Sequence, residues 1–128
     1  LMALAGGDAV QTNQIYYNLS HRGTEFDLMP WCLKRHISIM AYSPLDQGRL
    51  LRSRDVGRIA GKLGATPAQV ALAWAMQREG VFVIPKAGSE AHIRDNFGAL
   101  QVKFSASDLA ELDAAFPPPD GPSPLAIL

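Results

Sequence analysis

Three short β-favouring runs, each followed by residues at helical spacing, constrain this 128-residue chain more than anything else in it. They lie at 10–17, 37–42 and 81–84. In the first, Val10, Thr12, Ile15, Tyr16 and Tyr17 favour extended backbone; in the second, Ile37, Ile39, Met40 and Ala41 are apolar and Ser38 is small. The third, Val81-Phe82-Val83-Ile84, is unbroken and apolar, the pattern of a strand buried on both faces. A strand that feeds a helix crosses over before the next strand, which then lies parallel to it. The order of elements therefore predicts an α/β fold with a parallel sheet. Three such strands leave two unpaired edges and need cover on both faces. A (β/α)8 TIM barrel takes eight strands and roughly 250 residues. The chain reads as about three β/α units, part of an incomplete barrel.

Start and stop signals divide the intervening segments. Leu1–Ala5 reads as a helix end stopped by Gly6-Gly7. Thr24 has N-cap spacing with Asp27, and Pro30 is tolerated only in a first turn, so a helix is expected from near Leu28 to about Arg35. Val56, Ile59, Ala60 and Leu63 keep helical spacing until Gly64. Thr66-Pro67-Ala68-Gln69 opens a helix expected over Pro67–Glu79, with Gly80 ending it. Ser89 caps a helix to about Phe97, and Gln101–Phe104 reads as an extended link. Ser105 and Asp108 have capping spacing, with Leu109, Leu112 and Phe116 on one face of a last helix. Pro117-Pro118-Pro119 stops it. One unit over 1–116 and a Pro-rich, loosely ordered tail over 117–128 are expected.

Hydrophobic residues make up 48% of the chain and charged ones 19%, enough for a core and too apolar for a disordered segment. Lys+Arg and Asp+Glu both number 12, and this zero balance argues against a nucleic-acid binder. No apolar run reaches the roughly 18 residues of a membrane span, and Leu1–Ala5 lacks the basic flank of a signal peptide. A single cysteine, Cys32, fits a reducing compartment and an inert buried thiol. The expected location is cytoplasmic, with no membrane partner. His21, His36 and His92 have no metal-ligand spacing. A helix-turn-helix over 56–79 conflicts with the neutral charge and the flanking strands. A receiver-like or interaction domain needs five strands where three are found.

In a β/α barrel, functional residues gather at the C-terminal ends of strands. The first strand end offers Asn13, Gln14, Tyr16, Tyr17 and Asn18; the second offers Tyr42 and Ser43; the third offers Lys86. After Lys86 a small-residue turn leads to the helix opened by Ser89, with His92 beside its N-terminus. Backbone N–H groups and the positive dipole end there attract phosphate. Together these groups suit an aromatic, amide-bearing, phosphorylated ligand. Each has a plain structural alternative: Tyr42 as a core aromatic, Gln14 as a satisfied strand amide, Lys86 as a solvated cation. The agreement of three strand ends favours the ligand.

Asn13-Gln14-Ile15-Tyr16-Tyr17-Asn18, Ala41-Tyr42-Ser43-Pro44-Leu45, Ile84-Pro85-Lys86 and Asp95-Asn96 resemble, in order and spacing, the last three strands of an aldo-keto reductase. The resemblance covers almost the whole chain. It implies a β/α barrel that reduces small aldehydes and ketones to alcohols with NADPH. By that resemblance Gln14 would hold the nicotinamide carboxamide and Tyr42 would stack on its ring. Ser43 and Leu45 would line the pyrophosphate path. Lys86 would meet the 2′-phosphate region, with His92 where the family often has Arg, and Asp95 and Asn96 would face the adenine. Three positions depart from the family pattern: Ala87 for Ser, His92 for Arg and Asp95 for Glu. The family's catalytic Asp, Tyr, Lys and His come from earlier strands. The resemblance thus implies a cofactor-gripping C-terminal half with no catalytic residue of its own, inactive alone and prone to self-associate through its open edges.

Overall fold

In the computed structural model, which describes residues 3–128, the three runs form one parallel sheet in the order β1 (Thr12–Tyr16), β2 (Ser38–Tyr42), β3 (Val81–Val83). The register pairs Gln14 with Met40 and Met40 with Phe82, and sets Tyr16 beside Tyr42. Each strand is shorter than its β-favouring run. Five α-helices accompany them: α1 (Leu28–Leu33), α2 (Arg54–Leu63), α3 (Pro67–Met76), α4 (Glu90–Gly98) and α5 (Ala106–Ala115). Residues 117–128 form no helix or strand.

Side chains alternate across a strand, so each strand presents two different faces. One face carries Ile15, Ile39, Ala41, Val81 and Val83, which pack with Cys32 of α1, Val56 and Ile59 of α2, Val70 and Trp74 of α3, and Leu112 of α5. Full burial of side chains such as Val56 and Ile59 contributes about 1.5–3 kcal/mol each. The other face carries Gln14, Met40, Tyr42 and Phe82, and among the described residues the helices of the core pack on the opposite side. Phe82 is 37% exposed and Ile84 just beyond it 40%. This corrects the expectation of a third strand buried on both faces. Its apolar run is real, but β3 is an edge strand here, and only its Val81 and Val83 side meets the helices.

The punctuation holds at most boundaries. Ser53, Thr66, Ser89 and Ser105 each accept a backbone N–H at the start of a helix, and Thr66–Gln69 and Ser105–Asp108 close full capping boxes. Gly64 ends α2 at φ 61°, a left-handed conformation that suits glycine. Four expectations change. The cap of α1 is Asp27, which accepts from Leu28 N at 2.6 Å. Thr24 instead lies inside a 3-10 turn, Gly23–Glu25, and its buried hydroxyl has no hydrogen-bond partner among the described residues. Helix α3 ends at Met76, because residues 77–80 turn the chain into β3 through Val81 N to Arg78 O. Gln101 closes a 3-10 turn, Ala99–Gln101, before the extended link begins. Of the expected N-terminal helix end, Leu1 and Met2 lie outside the described residues, and 3–5 form turns.

Candidate functional site at the strand ends

The polar residues beyond β3 and along α4 meet in one place. Leu45, Lys86, His92, Asp95 and Asn96 line a cleft of about 320 Å³, closed on one side by Leu51 and by Thr66-Pro67-Ala68 at the start of α3. Lys86 is positioned by the end of β3. His92, Asp95 and Asn96 are three and four residues apart on α4, so they share a helix face. Ser89 fixes the start of that helix by accepting His92 N at 3.2 Å. Among the described residues, no carboxylate lies within ion-pair distance of Lys86 or His92. The cleft therefore presents Lys86 and His92, neither in an ion pair among the described residues, beside a helix N-terminus, where an anion is favoured, with the Asp95 carboxylate on the same lining.

Asp95 has a second duty there. Its carboxylate accepts Thr66 Oγ1 at 3.1 Å and Gln69 Nε2 at 3.0 Å. The same two side chains form the capping box of α3, so Asp95 ties α4 to the start of α3 and sets the width of the cleft.

Gln14 and Tyr42 stand on the open face of the sheet. Gln14 is exposed, and its amide makes no hydrogen bond among the described residues. Tyr42 is half-buried and stacks on Tyr16, ring centroids 5.4 Å apart at 17°. Ser43, which follows, has φ 47°, and its carbonyl accepts Asn18 Nδ2 at 3.0 Å. Asp46 (φ 49°) and Gln47 (φ 51°) share this left-handed backbone. Each such non-glycine residue costs on the order of 1–3 kcal/mol, which surrounding contacts must offset.

Those contacts involve residues that sequence reasoning either passed over or left unassigned. Asp46 is buried and accepts the Tyr16 hydroxyl at 2.5 Å and Arg49 Nη1 at 3.3 Å, with His21 Nε2 3.7 Å away. Burial first, then the hydrogen bond and negative charge of Asp46, push the Tyr16 hydroxyl from 10.0 up to about 12. The raised folded-state value means that the stabilising neutral form is fully retained below pH 10 and lost as pH rises from 10 through 12. In alkaline unfolding titrations, Tyr16→Phe is expected to flatten the decline over that window; an unchanged slope would contradict the assignment. Asp46-Gln47-Gly48 reads in sequence only as a loop, and nothing local reveals its partner thirty positions back.

A parallel sheet with its helices on one face and a polar cleft beyond the C-terminal ends of its strands defines a segment of a β/α barrel. The sequence profile of the aldo/keto reductase family matches residues 2–116, and the chain belongs to that family. Methylglyoxal reductase YeaE of Escherichia coli (strain K12) is 45% identical over 130 residues, covering 98% of this chain and 46% of that protein. Pyridoxine 4-dehydrogenase of the same organism is 38% identical over 99 residues, covering 76% of this chain and 34% of that protein. Among solved structures, an aldo/keto reductase from Klebsiella pneumoniae in complex with NADP and acetate superposes with a TM-score of 0.96 at 41% identity, covering 100% of this chain and 47% of that one. The chain spans about half the length of the curated relatives it matches. No helix among the described residues is long and apolar enough to cross a membrane.

Proposed function

We propose that these residues form the NADPH-binding part of an oxidoreductase that reduces small aldehydes and ketones to alcohols. The observation that carries this reading is the cleft beside the start of α4 in which Lys86 and His92, among the described residues, make no ion pair. The donor set fits the dinucleotide: a cation for phosphate, an exposed amide at Gln14 for a carboxamide, and an aromatic face at Tyr42 for a ring. When bound, the reduced nicotinamide supplies a hydride to the carbonyl carbon. This chain's own part is to bind and orient. Lys86 takes the 2′-phosphate region, Asn96 and Asp95 border the adenosine end, Leu45 and Ser43 line the path between, and Tyr42 and Gln14 fix the nicotinamide. Residues 1–116 form the binding unit, and the proton donor comes from outside it. The NADP complex of the Klebsiella protein and the naming of relatives as methylglyoxal reductases support both the cofactor and the substrate class.

Fluorescence titration of the wild type and of Lys86→Ala with NADPH and with NADH tests the reading. Loss of a charged hydrogen bond is expected to weaken NADPH about tenfold or more and to leave NADH within about twofold. Equal losses for both would remove Lys86 from the 2′-phosphate. A wild type that binds neither nucleotide would overturn the proposal.

A further inference from the structure

Tyr42 does not stand by itself on the sheet. The Tyr16 ring, from the neighbouring strand, is stacked against it and also meets the His21 ring at 4.2 Å and 30°. The ring ends in a hydroxyl that donates to Asp46 at 2.5 Å. Asp46 belongs to the loop that leaves Tyr42, and it is 3% exposed. A second link joins the same two segments, Asn18 Nδ2 to the carbonyl of Ser43. Both loop residues that are held this way, Ser43 and Asp46, have left-handed backbone, and Leu45 between them lines the cleft. The end of β1 therefore clamps the 43–48 loop at two strained points, and the clamp nearer the cleft's Leu45 passes through the ring that supports Tyr42.

We propose that Tyr16 and Asp46 are positioning residues for the nicotinamide end of the dinucleotide: their hydrogen bond fixes the plane of the Tyr42 ring and the course of the 43–48 loop before the cofactor arrives. This deepens the NADPH reading above and rests on it. Preformed surfaces bind more tightly because the ordering cost is met in the free protein. The Tyr16 hydroxyl stays protonated until pH nears 12, so it remains a donor throughout any working range. Tyr16 and Asp46 need touch neither the cofactor nor the substrate; they act through Tyr42 and the loop.

The test compares two probes on the full 128-residue chain: NADPH, which engages both ends of the site, and 2′,5′-ADP, which lacks the nicotinamide. Tyr16→Phe keeps the ring and deletes the hydroxyl. It is expected to raise the NADPH dissociation constant about tenfold, the scale of one lost hydrogen bond, and to leave that of 2′,5′-ADP within about twofold. Asp46→Asn keeps an acceptor for the phenol and a residue that tolerates left-handed backbone, so affinity is expected to stay within about threefold of wild type. Asp46→Ala removes both and is expected to match or exceed the loss in Tyr16→Phe. A general loss of structure would weaken both probes together, so parallel losses in Tyr16→Phe overturn the proposal, as does an unchanged NADPH affinity. If Tyr16→Phe melts too low to titrate, the Asp46 pair makes the same comparison: selective loss in alanine with rescue by asparagine supports the clamp, and equal behaviour overturns it. A wild type that binds neither probe overturns the underlying reading and the clamp with it; binding that both Tyr16→Phe and Asp46→Ala leave intact overturns the clamp alone.

Discussion

Arg22→Met is expected to destabilise the chain by about 3–5 kcal/mol, the scale for breaking a buried ion pair by removing one partner. The Arg22 side chain is 3% exposed. Its Nε and Nη2 donate to the two oxygens of Glu25, both at 3.0 Å, in the planar fork that only arginine provides. Its Nη1 reaches Asp113 of α5 at 2.7 Å and the carbonyl of Phe116, and its plane lies 4.9 Å from the centre of the Trp74 ring. Burial works against the charge, and the carboxylates of Glu25 and Asp113 outweigh it, holding the guanidinium above its ordinary value. One side chain thus joins the turn after β1 to the last helix, 91 positions away. Methionine preserves much of the volume while leaving Glu25, among the described residues, with Tyr17 and Arg78 as its side-chain donors. Urea unfolding checks this, and a loss under about 1 kcal/mol would place the stability elsewhere. Arg22→Lys is expected to fall close to the methionine variant, since a single ammonium cannot serve both carboxylates and the carbonyl.

Given NADPH and methylglyoxal, the 128-residue chain alone is expected to reduce the aldehyde at least about 10²–10⁴-fold more slowly than complete reductases of the family, the range that general-acid help supplies. Hydride delivery leaves negative charge on the carbonyl oxygen, which needs a proton from a nearby group. The tyrosines at the strand ends are poorly suited to give one. The Tyr16 hydroxyl is engaged with Asp46 and pushed up to about 12. Tyr17 is buried and donates to Glu25 at 2.8 Å, and burial with the Glu25 charge drives it higher still. Both shifts run opposite to what an acid working near neutrality requires. The Tyr42 ring stacks on that of Tyr16, 5.4 Å between centroids. Following NADPH oxidation by absorbance decides the point: turnover approaching that of full-length relatives would show that a donor is present in this chain after all.

The features legible in the sequence are those set by local chemistry. Thr66 with Gln69, Ser105 with Asp108, and Gly64 mark helix boundaries because capping and left-handed turns act within a few residues. Leu45, Lys86, His92, Asp95 and Asn96, scattered over 52 positions, do share one cleft, because strand ends in a parallel sheet lie side by side. Thr24 reads as an N-cap with Asp27 three residues on, yet Asp27 is itself the cap, because residues 23–25 wind into a 3-10 turn. The open side of β3 was not legible, since an apolar run cannot say what covers it. Nor was the bond from Asp95 to Thr66 and Gln69, or that from Tyr16 to Asp46. These join segments 26 to 30 positions apart, and they exist only when the sheet and helices have been assembled.

The contrast between the two sides of the sheet bears on how a ring is completed. The helical layer is already seated on the outward side, by contacts between successive β/α units and by α5, which packs in the same cluster as β1. The inward side and the two outer strands are where a ring would be joined: among the described residues β1 and β3 each pair with β2 on one edge alone, and a band of side chains runs across the inner face from Gln14 to Phe82. Closure is then an operation on rims and lumen that leaves the outer shell as it was built. The cleft lined by Lys86, His92, Asp95 and Asn96 lies between α4 and the start of α3, so its walls belong to that shell and not to the open rims.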